Sequence, residues 1–268
     1  MNGSDSHKEP QPRVSIVTVT FNSGKTLTDT INSVLGQTYE NFEHVIVDGG
    51  STDGTIELIQ KFEPQYEGHL QWTSGPDIGI YDAMNKGVAL ATGDIVGILN
   101  SDDLYADEHV LSDIVSTFVE TNCDFLYADL IYVDRADLDV TTRVWVAGDG
   151  RFDLGWNPPH PTLYLRKYVY EQNGSYKTNY KISSDYDYMI RLFNPKANLR
   201  SWYLRRTIVK MRQGGESTKN FRSNITAFRE AQQSLEFYQV RMPHVVNVLR
   251  VLRKLRQLRT RQPSVDEL

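Results

Sequence analysis

The most constraining feature of this sequence is an apolar run at residues 95–99 that ends abruptly in Asn100, Ser101, Asp102 and Asp103. A short run of mostly β-branched residues is typical of a strand buried inside a parallel sheet. In open α/β sheets, ligands bind beyond the carboxyl ends of the strands. Two adjacent carboxylates there repel each other unless a cation lies nearby. A divalent ion that carries phosphate oxygens is the natural candidate, and a solvated turn is the alternative.

The apolar periodicity on both sides of this run predicts strands that alternate with helices. Ser51 and Thr52 are candidate N-caps for a helix that ends at Phe62. This alternation predicts a parallel sheet with right-handed crossovers. In the first half, strands are predicted at residues 14–21, 42–47, 70–73 and 95–99, with further helices at 25–35 and 80–91.

The second half is predicted to be less regular. A hairpin is expected from residues 130–133 and 142–146, and the chain from residue 221 onward is expected to be helical with a break at Pro243. Helices are predicted at residues 107–121, 167–172 and 183–193, and short strands at 125–128, 162–165, 199–203 and 208–211.

Composition narrows the class of protein. The 268 residues are 40% hydrophobic and 24% charged, which suits a globular protein of one large or two intimate domains. No apolar stretch reaches the ~18 residues of a membrane span. The polar residues 1–12 are expected to form a disordered lead-in rather than a signal peptide. The single cysteine, Cys123, excludes an internal disulfide and suits a reducing cytoplasm.

Charge is distributed unevenly along the chain. The net charge is −5, yet residues 245–261 carry six basic side chains and no acidic one, so the remainder is strongly acidic. A nucleic-acid binder spreads basic charge over a docking face, so we expect no nucleic-acid partner. The same segment has a broad apolar face, which predicts a helix on an anionic membrane surface. The alternative is a helix that packs on the rest of the chain or in a homodimer.

Polar residues follow each of the first strands, where they could face one crevice. These are Thr20, Phe21 and Asn22, then Asp48 and Asp53, then Asp77, then Asn100 to Asp103. Each acid alone is typical of a turn or a helix cap, but their repetition favours a ligand site. An acidic crevice suits a nucleotide diphosphate that arrives with its metal. A carboxylate also accepts hydrogen bonds from a uracil imide or from ribose hydroxyls.

Four motifs in order carry a resemblance to a known family. They are residues 17–22, 47–54, 79–87 and 99–103. Together they resemble family 2 glycosyltransferases of the GT-A fold, and bacterial enzymes of O-antigen and exopolysaccharide assembly in particular. The resemblance covers roughly residues 13–215. It implies a mixed, mostly parallel sheet flanked by helices, and an inverting transferase that uses a nucleotide sugar, usually a UDP-sugar, with Mn²⁺ or Mg²⁺.

The resemblance also implies roles for the residues of the first half. Asp48 would hold the base, with Phe21, Asn22 and Asp53 around it. Asp102 would ligate the metal, with Asp103 as its neighbour. The family usually has Asp where this chain has Asn100, so a weaker, exchangeable metal is expected. The residues assigned to the donor are Thr20, Phe21, Asn22, Asp48, Asp53, Asp77, Asn85, Lys86, Asn100 and Ser101.

In the second half, the resemblance implies the general base. Asp185 occupies the place of a family acid at a helix start, where helix capping is its alternative role. Asp187 would position the acceptor or serve the structure. His160 and Trp156 lie in a proline-containing loop that borders the site in relatives. Residues 213–217 resemble a segment that closes over the nucleotide.

The implied setting is the inner face of the cytoplasmic membrane, where the enzyme would associate peripherally. The acceptor would be a glycan or a polyprenyl-diphosphate-linked saccharide. The expected division is a lead-in at 1–12, a donor half at 13–106, an acceptor half at 107–219 and a helical extension at 220–268. A sugar-nucleotide pyrophosphorylase and a catalytically inactive glycan-binding scaffold remain the alternatives.

Overall fold

The computed structural model describes residues 11–214 and 221–257, and one mixed sheet runs through this part of the chain. Its strands are β1 Val14–Thr20, β2 Phe42–Asp48, β3 Leu70–Ser74, β4 Ile95–Ile98, β5 Leu104–Tyr105, β6 Phe125–Val133, β7 Thr141–Trp145, β8 Tyr164–Arg166 and β9 Ser201–Arg212. The order across the sheet is β3-β2-β1-β4-β8-β6-β9-β5, and β7 pairs with β6.

Helices flank this sheet, as predicted. They are α1 Leu27–Leu35, α2 Thr55–Phe62, α3 Ile80–Leu90, α4 Val110–Thr121, α5 Lys167–Asn173, α6 Ser184–Leu192, α7 Phe221–Phe237 and α8 Pro243–Gln257. The predicted N-cap of α2 is wrong. The cap is Gly54, whose φ of 92° lies in the left-handed region that favours glycine.

The first half of the sheet is parallel, which confirms the predicted α/β architecture. β1 pairs in parallel with both β2 and β4, and β2 pairs in parallel with β3. The register places Thr20 opposite Asp48, and Asp48 opposite Ser74. The polar residues that end these strands therefore lie along one edge of the sheet.

Both faces of the first strands are covered, because their side chains alternate between two apolar cores. Val17 and Val19 point into the core that α3 and α6 close. Ile16 and Ile46 point into the opposite core, with α1 and α4. This double burial explains why β1 and β2 are buried along their whole length.

The second half departs from the prediction at β9. Two short strands were expected, but residues 201–212 form one continuous strand parallel to β6. The pairing passes from Ala128–Leu204 to Asp129–Thr207, so Arg205 and Arg206 bulge out without ending the strand. In the sequence, Arg205 and Arg206 resemble the end of one strand, which explains why two short strands were predicted. The predicted hairpin is confirmed as β6 and β7.

The two C-terminal helices are part of the same packed structure. Ala231 and Leu235 of α7 and Val246 of α8 are buried in the core that contains α6. Among the described residues, no helix has the length and apolar character needed to cross a membrane. The four-part division of the chain stays a prediction. The last residues of the predicted basic segment, 258–261, lie outside the described residues.

Candidate active site

The loops that follow β1 and β4 meet at the edge of the sheet. The Ser23 and Ser101 hydroxyls hydrogen-bond at 2.8 Å and join these loops. Beneath them, Thr20 is buried, and its hydroxyl has no hydrogen-bond partner among the described residues. The two loops are therefore in contact at the edge where the crevice is predicted, and Ser101 contributes to this contact.

Asp48 shapes the loop after β2. The residue is 1% exposed, and its Oδ2 accepts hydrogen bonds from the N–H groups of Gly50 and Ser51 at 3.0 and 2.9 Å. Ser74 donates to the same oxygen at 2.7 Å, and the Ser51 hydroxyl donates to Oδ1. A carboxylate so enclosed holds the turn, and the assignment of Asp48 to the base stays a prediction.

Asn22 and Asp53 tie the β1 and β2 loops together. Asn22 adopts a left-handed φ of 52°, and its Oδ1 accepts from the Thr52 N–H at 3.0 Å. Asp53 Oδ2 accepts from the Gly24 N–H at 3.0 Å, and its Oδ1 accepts from the Thr55 hydroxyl at 2.5 Å. The bond from the Thr55 hydroxyl is the main reason that the pKa of Asp53 is lowered. Both residues form the wall of the crevice.

Phe21, Gly49 and Asp77 form a shallow recess beside this wall. The Phe21 side chain is 63% exposed, which is unusual for a large aromatic group. A Cβ at position 49 would lie 2.6 Å from Asp77 Oδ2 and 3.3 Å from the Phe21 ring, so the Asp77 carboxylate lies over the glycine backbone. Asp77 Oδ1 accepts from the Gly79 N–H at 2.9 Å. The recess thus combines an open aromatic face with one carboxylate oxygen, Oδ2, that is not used in this turn.

Asp102 and Asp103 have different environments although they are adjacent. Asp103 is 1% exposed, and its Oδ2 accepts from the Asn100 amide at 2.9 Å. Burial, followed by the charge of Asp102, raises the pKa of Asp103 well above its usual range. Asp102 is half-buried, and Arg212 Nε donates to its carbonyl oxygen at 3.1 Å. Asp103 therefore faces inward, and the metal role of the two carboxylates stays a prediction.

No group of three or more His, Cys, Asp or Glu side chains in residues 11–214 and 221–257 could hold a metal ion by itself. Arg212, which sequence reasoning missed, fixes this loop from the end of β9, because it also pairs with Asp29. A cation here would need oxygen ligands from the substrate as well as from Asp102.

Asp185 lies in the first turn of α6 and is half-buried. Its Oδ1 accepts from the Tyr186 N–H at 2.8 Å and lies 3.3 Å from the Tyr81 hydroxyl, which donates its proton to the Ile182 carbonyl at 2.5 Å. The second oxygen, Oδ2, makes no hydrogen bond within the described part of the chain. Tyr81 belongs to the predicted motif at 79–87, but its role was not predicted. The Tyr186 N–H orients this carboxylate, and one oxygen stays available.

His160 is near Asp185 but is packed into the protein. It is 9% exposed, and its Nε2 hydrogen-bonds with the Tyr176 hydroxyl at 3.0 Å. Burial lowers the pKa of His160, and the charge of Asp185 opposes this effect. The imidazole is therefore neutral near pH 7, and it lies near Asp185 as a buried group.

Three other predicted contacts belong to the scaffold. The Asn85 side chain makes two hydrogen bonds with the Tyr176 backbone. Nδ2 donates to the Tyr176 carbonyl and Oδ1 accepts from the Tyr176 N–H, both at 2.8 Å. Trp156 is 7% exposed and donates from Nε1 to the Ala147 carbonyl at 2.7 Å. These partners occupy the polar groups of both side chains, and their substrate contacts stay predictions. Lys86 pairs with Asp82 at 2.8 Å and stays a predicted donor contact.

Asp187 is the third of these predicted contacts. Of the two roles predicted for it, positioning the acceptor or serving the structure, the structure favours the second. Its carboxylate is fully buried and pairs with Lys177 at 2.8 Å and Arg191 at 3.4 Å. It also accepts from the Ser234 hydroxyl at 2.9 Å and from the Tyr238 hydroxyl at 3.3 Å. Asp187 thus binds the C-terminal helix α7 to α6.

Glu230 of α7 makes the second connection between the extension and the site, and sequence reasoning missed it. Its Oε1 accepts from the Lys181 N–H at 2.8 Å, and its Oε2 accepts from the N–H groups of Ile182 and Ser183 at 2.9 Å each. These residues lead directly into Asp185. A lone Glu within an amphipathic helix gives no signal of this role.

The family model described as "Glycosyl transferase family 2" matches residues 15–187 of the chain, which is more than half of it. The chain belongs to this family. It is therefore a glycosyltransferase, and the predicted family and enzyme class are confirmed.

Curated mycobacterial relatives agree with this family. A "PGL/p-HBAD biosynthesis glycosyltransferase" of Mycobacterium bovis (strain BCG) is 33% identical over 192 residues, which cover 69% of this chain and 72% of the relative. An uncharacterized glycosyltransferase of Mycobacterium tuberculosis (strain H37Rv) is 30% identical over 188 residues, 67% of this chain and 68% of the relative.

Solved GT-A glycosyltransferases share the fold. S. aureus TarS 1–349 in complex with UDP-GlcNAc has a TM-score of 0.62 at 18% identity, covering 83% of this chain and 65% of that one. The mannosyltransferase PcManGT from Pyrobaculum calidifontis, in complex with GDP-Man and Mn²⁺, has a TM-score of 0.67 at 17% identity, covering 90% and 70%. The structural similarity to these two enzymes confirms the predicted fold.

Proposed function

We propose that this glycosyltransferase moves a sugar from a nucleotide sugar to a hydroxyl group of a glycan, with inversion at the anomeric carbon. The reaction is a direct displacement in which Asp185 acts as general base. The acceptor hydroxyl attacks C1, the bond from C1 to the diphosphate breaks, and the hydroxyl proton passes to the carboxylate. The nucleoside diphosphate leaves from the opposite face.

The observation that carries this proposal is the orientation of the Asp185 carboxylate. The Tyr186 N–H holds Oδ1 and the Tyr81 hydroxyl lies beside it at 3.3 Å, while Oδ2 has no hydrogen-bond donor within the described residues. A base needs one oxygen within hydrogen-bond reach of the proton that it takes. An oxygen fixed in position but not yet bonded meets this requirement, and Glu230 supports it through the preceding backbone.

The recess of Phe21, Gly49 and Asp77 suits the nucleobase of the donor. The exposed Phe21 ring offers a stacking surface, and Asp77 Oδ2 offers one acceptor beside it. Since Oδ1 already accepts from Gly79, a single acceptor faces the base. One acceptor matches the single imide N–H of uracil better than the paired N–H donors of guanine. We therefore infer a UDP-sugar, the donor class bound in the TarS complex.

Asp102 would hold the divalent cation, Mn²⁺ or Mg²⁺, that accompanies the donor. Its carboxylate follows β4 at the edge of the crevice, and Asp103 faces inward to Asn100. One protein carboxylate supplemented by diphosphate oxygens fits the way such ions bind nucleotides. When bound, the cation would compensate the charge of the departing diphosphate. PcManGT was solved with GDP-Man and Mn²⁺, which supports a cation in this fold.

The proposed acceptor is a saccharide linked to a polyprenyl diphosphate, at the cytoplasmic membrane surface. Helix α8 exposes Val245, Val248 and Leu252, at 45%, 48% and 51%. Their spacing places them along one side of the helix, where they would contact lipid. This role in surface polysaccharide synthesis also follows from the resemblance of the motifs.

A thermal-shift panel tests the donor site. A ligand that binds only the native state raises the unfolding temperature by mass action. UDP with Mn²⁺ should raise it more than UDP alone, and ADP should have no effect. A shift with GDP but not with UDP would contradict the assignment of the recess, and no shift with any nucleotide would contradict the donor site itself.

A further inference from the structure

Helix α8 is held against the catalytic part of the chain in a defined register. Gly155 has a φ of 74°, and a Cβ on it would lie 2.5 Å from the Arg250 backbone nitrogen, so the helix backbone lies directly on this turn. Arg253 Nε also donates to the Leu154 carbonyl at 3.1 Å. These contacts fix which residues of α8 point toward the site.

Arg250 points inward, next to the proposed base. Its guanidinium carbon lies 4.5 Å from the centre of the Tyr186 ring, and Tyr186 follows Asp185 in the chain. Nε and Nη2 donate to Asn247 Oδ1 at 3.2 and 3.1 Å, which orients the planar group. Nη1 has no acceptor within residues 11–214 and 221–257. Arg250 therefore presents a fixed, charged donor.

Lys254 follows Arg250 by one helical turn, so both lie on the same side of α8. Lys254 is exposed at the surface; partial desolvation of its ammonium lowers its pKa, the charges of Arg250 and Arg143 lower it further, and Asp185 raises it. Burial likewise lowers the pKa of Arg250, and Tyr186 and Asp185 oppose this. The two cations and Asp185 are thus close enough to affect one another.

Within the described residues, neither cation has an ion-pair partner. No carboxylate in this part of the chain lies within 4.0 Å of an Arg250 or Lys254 side-chain nitrogen. Holding two like charges close together is unfavourable unless an anion compensates them. Arginine and lysine are the side chains that bind phosphoryl oxygens, since they donate charge-assisted hydrogen bonds.

We propose that Arg250 and Lys254 bind a phosphoryl group of a substrate beside Asp185. This inference rests on the proposed function, because it takes Asp185 as the centre of the reaction. The phosphoryl group has two sources, the diphosphate of the donor and a diphosphate that carries the acceptor. Both cations lie outside residues 15–187, which the family model matches. The site would thus belong to the C-terminal extension.

Isothermal titration of the full chain with diphosphates tests the inference. The variants are Arg250→Met and Lys254→Met, which remove one charge and retain much of the side-chain length. Arg241→Met is the matched control, because Arg241 is an exposed cation just before α8. UDP is compared with uridine, and geranyl diphosphate with geraniol. Far-UV circular dichroism and the melting temperature confirm that each variant folds.

We expect each variant to weaken diphosphate binding about 10- to 100-fold, the range of a charge-assisted contact, with no change for uridine, geraniol or the control. Loss for UDP identifies the donor as the source, and loss for geranyl diphosphate identifies the acceptor. If both variants bind both diphosphates with wild-type affinity, this inference is overturned and the proposed function is unaffected. A wild-type protein that binds neither diphosphate would overturn the proposed donor site together with it.

Discussion

Replacing Glu230 with glutamine should destabilise the protein and slow catalysis together. The carboxylate is 8% exposed and accepts three backbone N–H groups, from Lys181, Ile182 and Ser183. Glutamine has one carbonyl oxygen, and its amide NH₂ would face an N–H donor. At least one backbone N–H would then lose its acceptor, and the remaining bonds would lose their charge assistance.

A buried donor without a partner costs about 1–3 kcal/mol, so we expect the free energy of unfolding to fall by about 2 kcal/mol. For a chain of this size, that corresponds to a melting temperature lower by about 4–8 °C. The turn that Glu230 holds leads into Asp185, so kcat should fall while the affinity for UDP is retained, because the nucleotide recess lies on other loops.

The assay is thermal and urea unfolding followed by circular dichroism, together with steady-state transfer and UDP titration. Glu236→Gln is the matched control, since Glu236 is exposed on the same helix and should change stability by less than about 0.5 kcal/mol. An E230Q variant that melts with the wild type and turns over at its rate would refute this account of the extension.

The other predictions concern pH and the nucleotide recess. Burial lowers the pKa of His44 to about 3, so below the ordinary value of 6.5 only the unfolded chain takes up this proton. Stability should therefore fall as the pH drops, by about 2 kcal/mol from this group at pH 5, and urea unfolding of His44→Gln should show a shallower pH dependence. Phe21→Ala should weaken UDP binding about 5- to 100-fold by titration, if stacking contributes about 1–3 kcal/mol; an unchanged affinity would exclude stacking. Gly49→Ala should weaken UDP binding at least about tenfold, because its Cβ would displace the Asp77 carboxylate, and wild-type affinity would contradict the recess.

The first half of the fold could be predicted from local patterns. In the sequence, buried parallel strands appear as nearly continuous apolar runs, and the polar residues that follow them indicate the edge of the sheet where ligands bind. In the second half, pairing between segments that are distant in the sequence determines where strands begin and end. Arg205 and Arg206 interrupt an apolar pattern without ending β9, because β6 continues to pair beyond the bulge.

The site was predictable in position but not in the roles of all its residues. Asp48 and Asn85 look like ligand contacts in the sequence, yet Ser74 and Tyr176, 26 and 91 residues away, occupy their polar groups. Such partners come together only in the folded chain. The contacts of Glu230 and Arg250 near Asp185 were not predicted for the same reason, since both residues come from the C-terminal helices.

The most direct test of the account is transfer by Asp185→Asn, measured beside its affinity for UDP. Asparagine keeps the size of the side chain and an oxygen for the Tyr186 N–H, but it cannot take the acceptor proton. We expect kcat to fall about 10²- to 10⁴-fold, the contribution of a positioned general base, with the dissociation constant of UDP within about twofold of wild type. A variant that keeps more than about a tenth of the wild-type kcat, or that loses UDP binding and turnover in parallel, would contradict the assignment of Asp185 as the base.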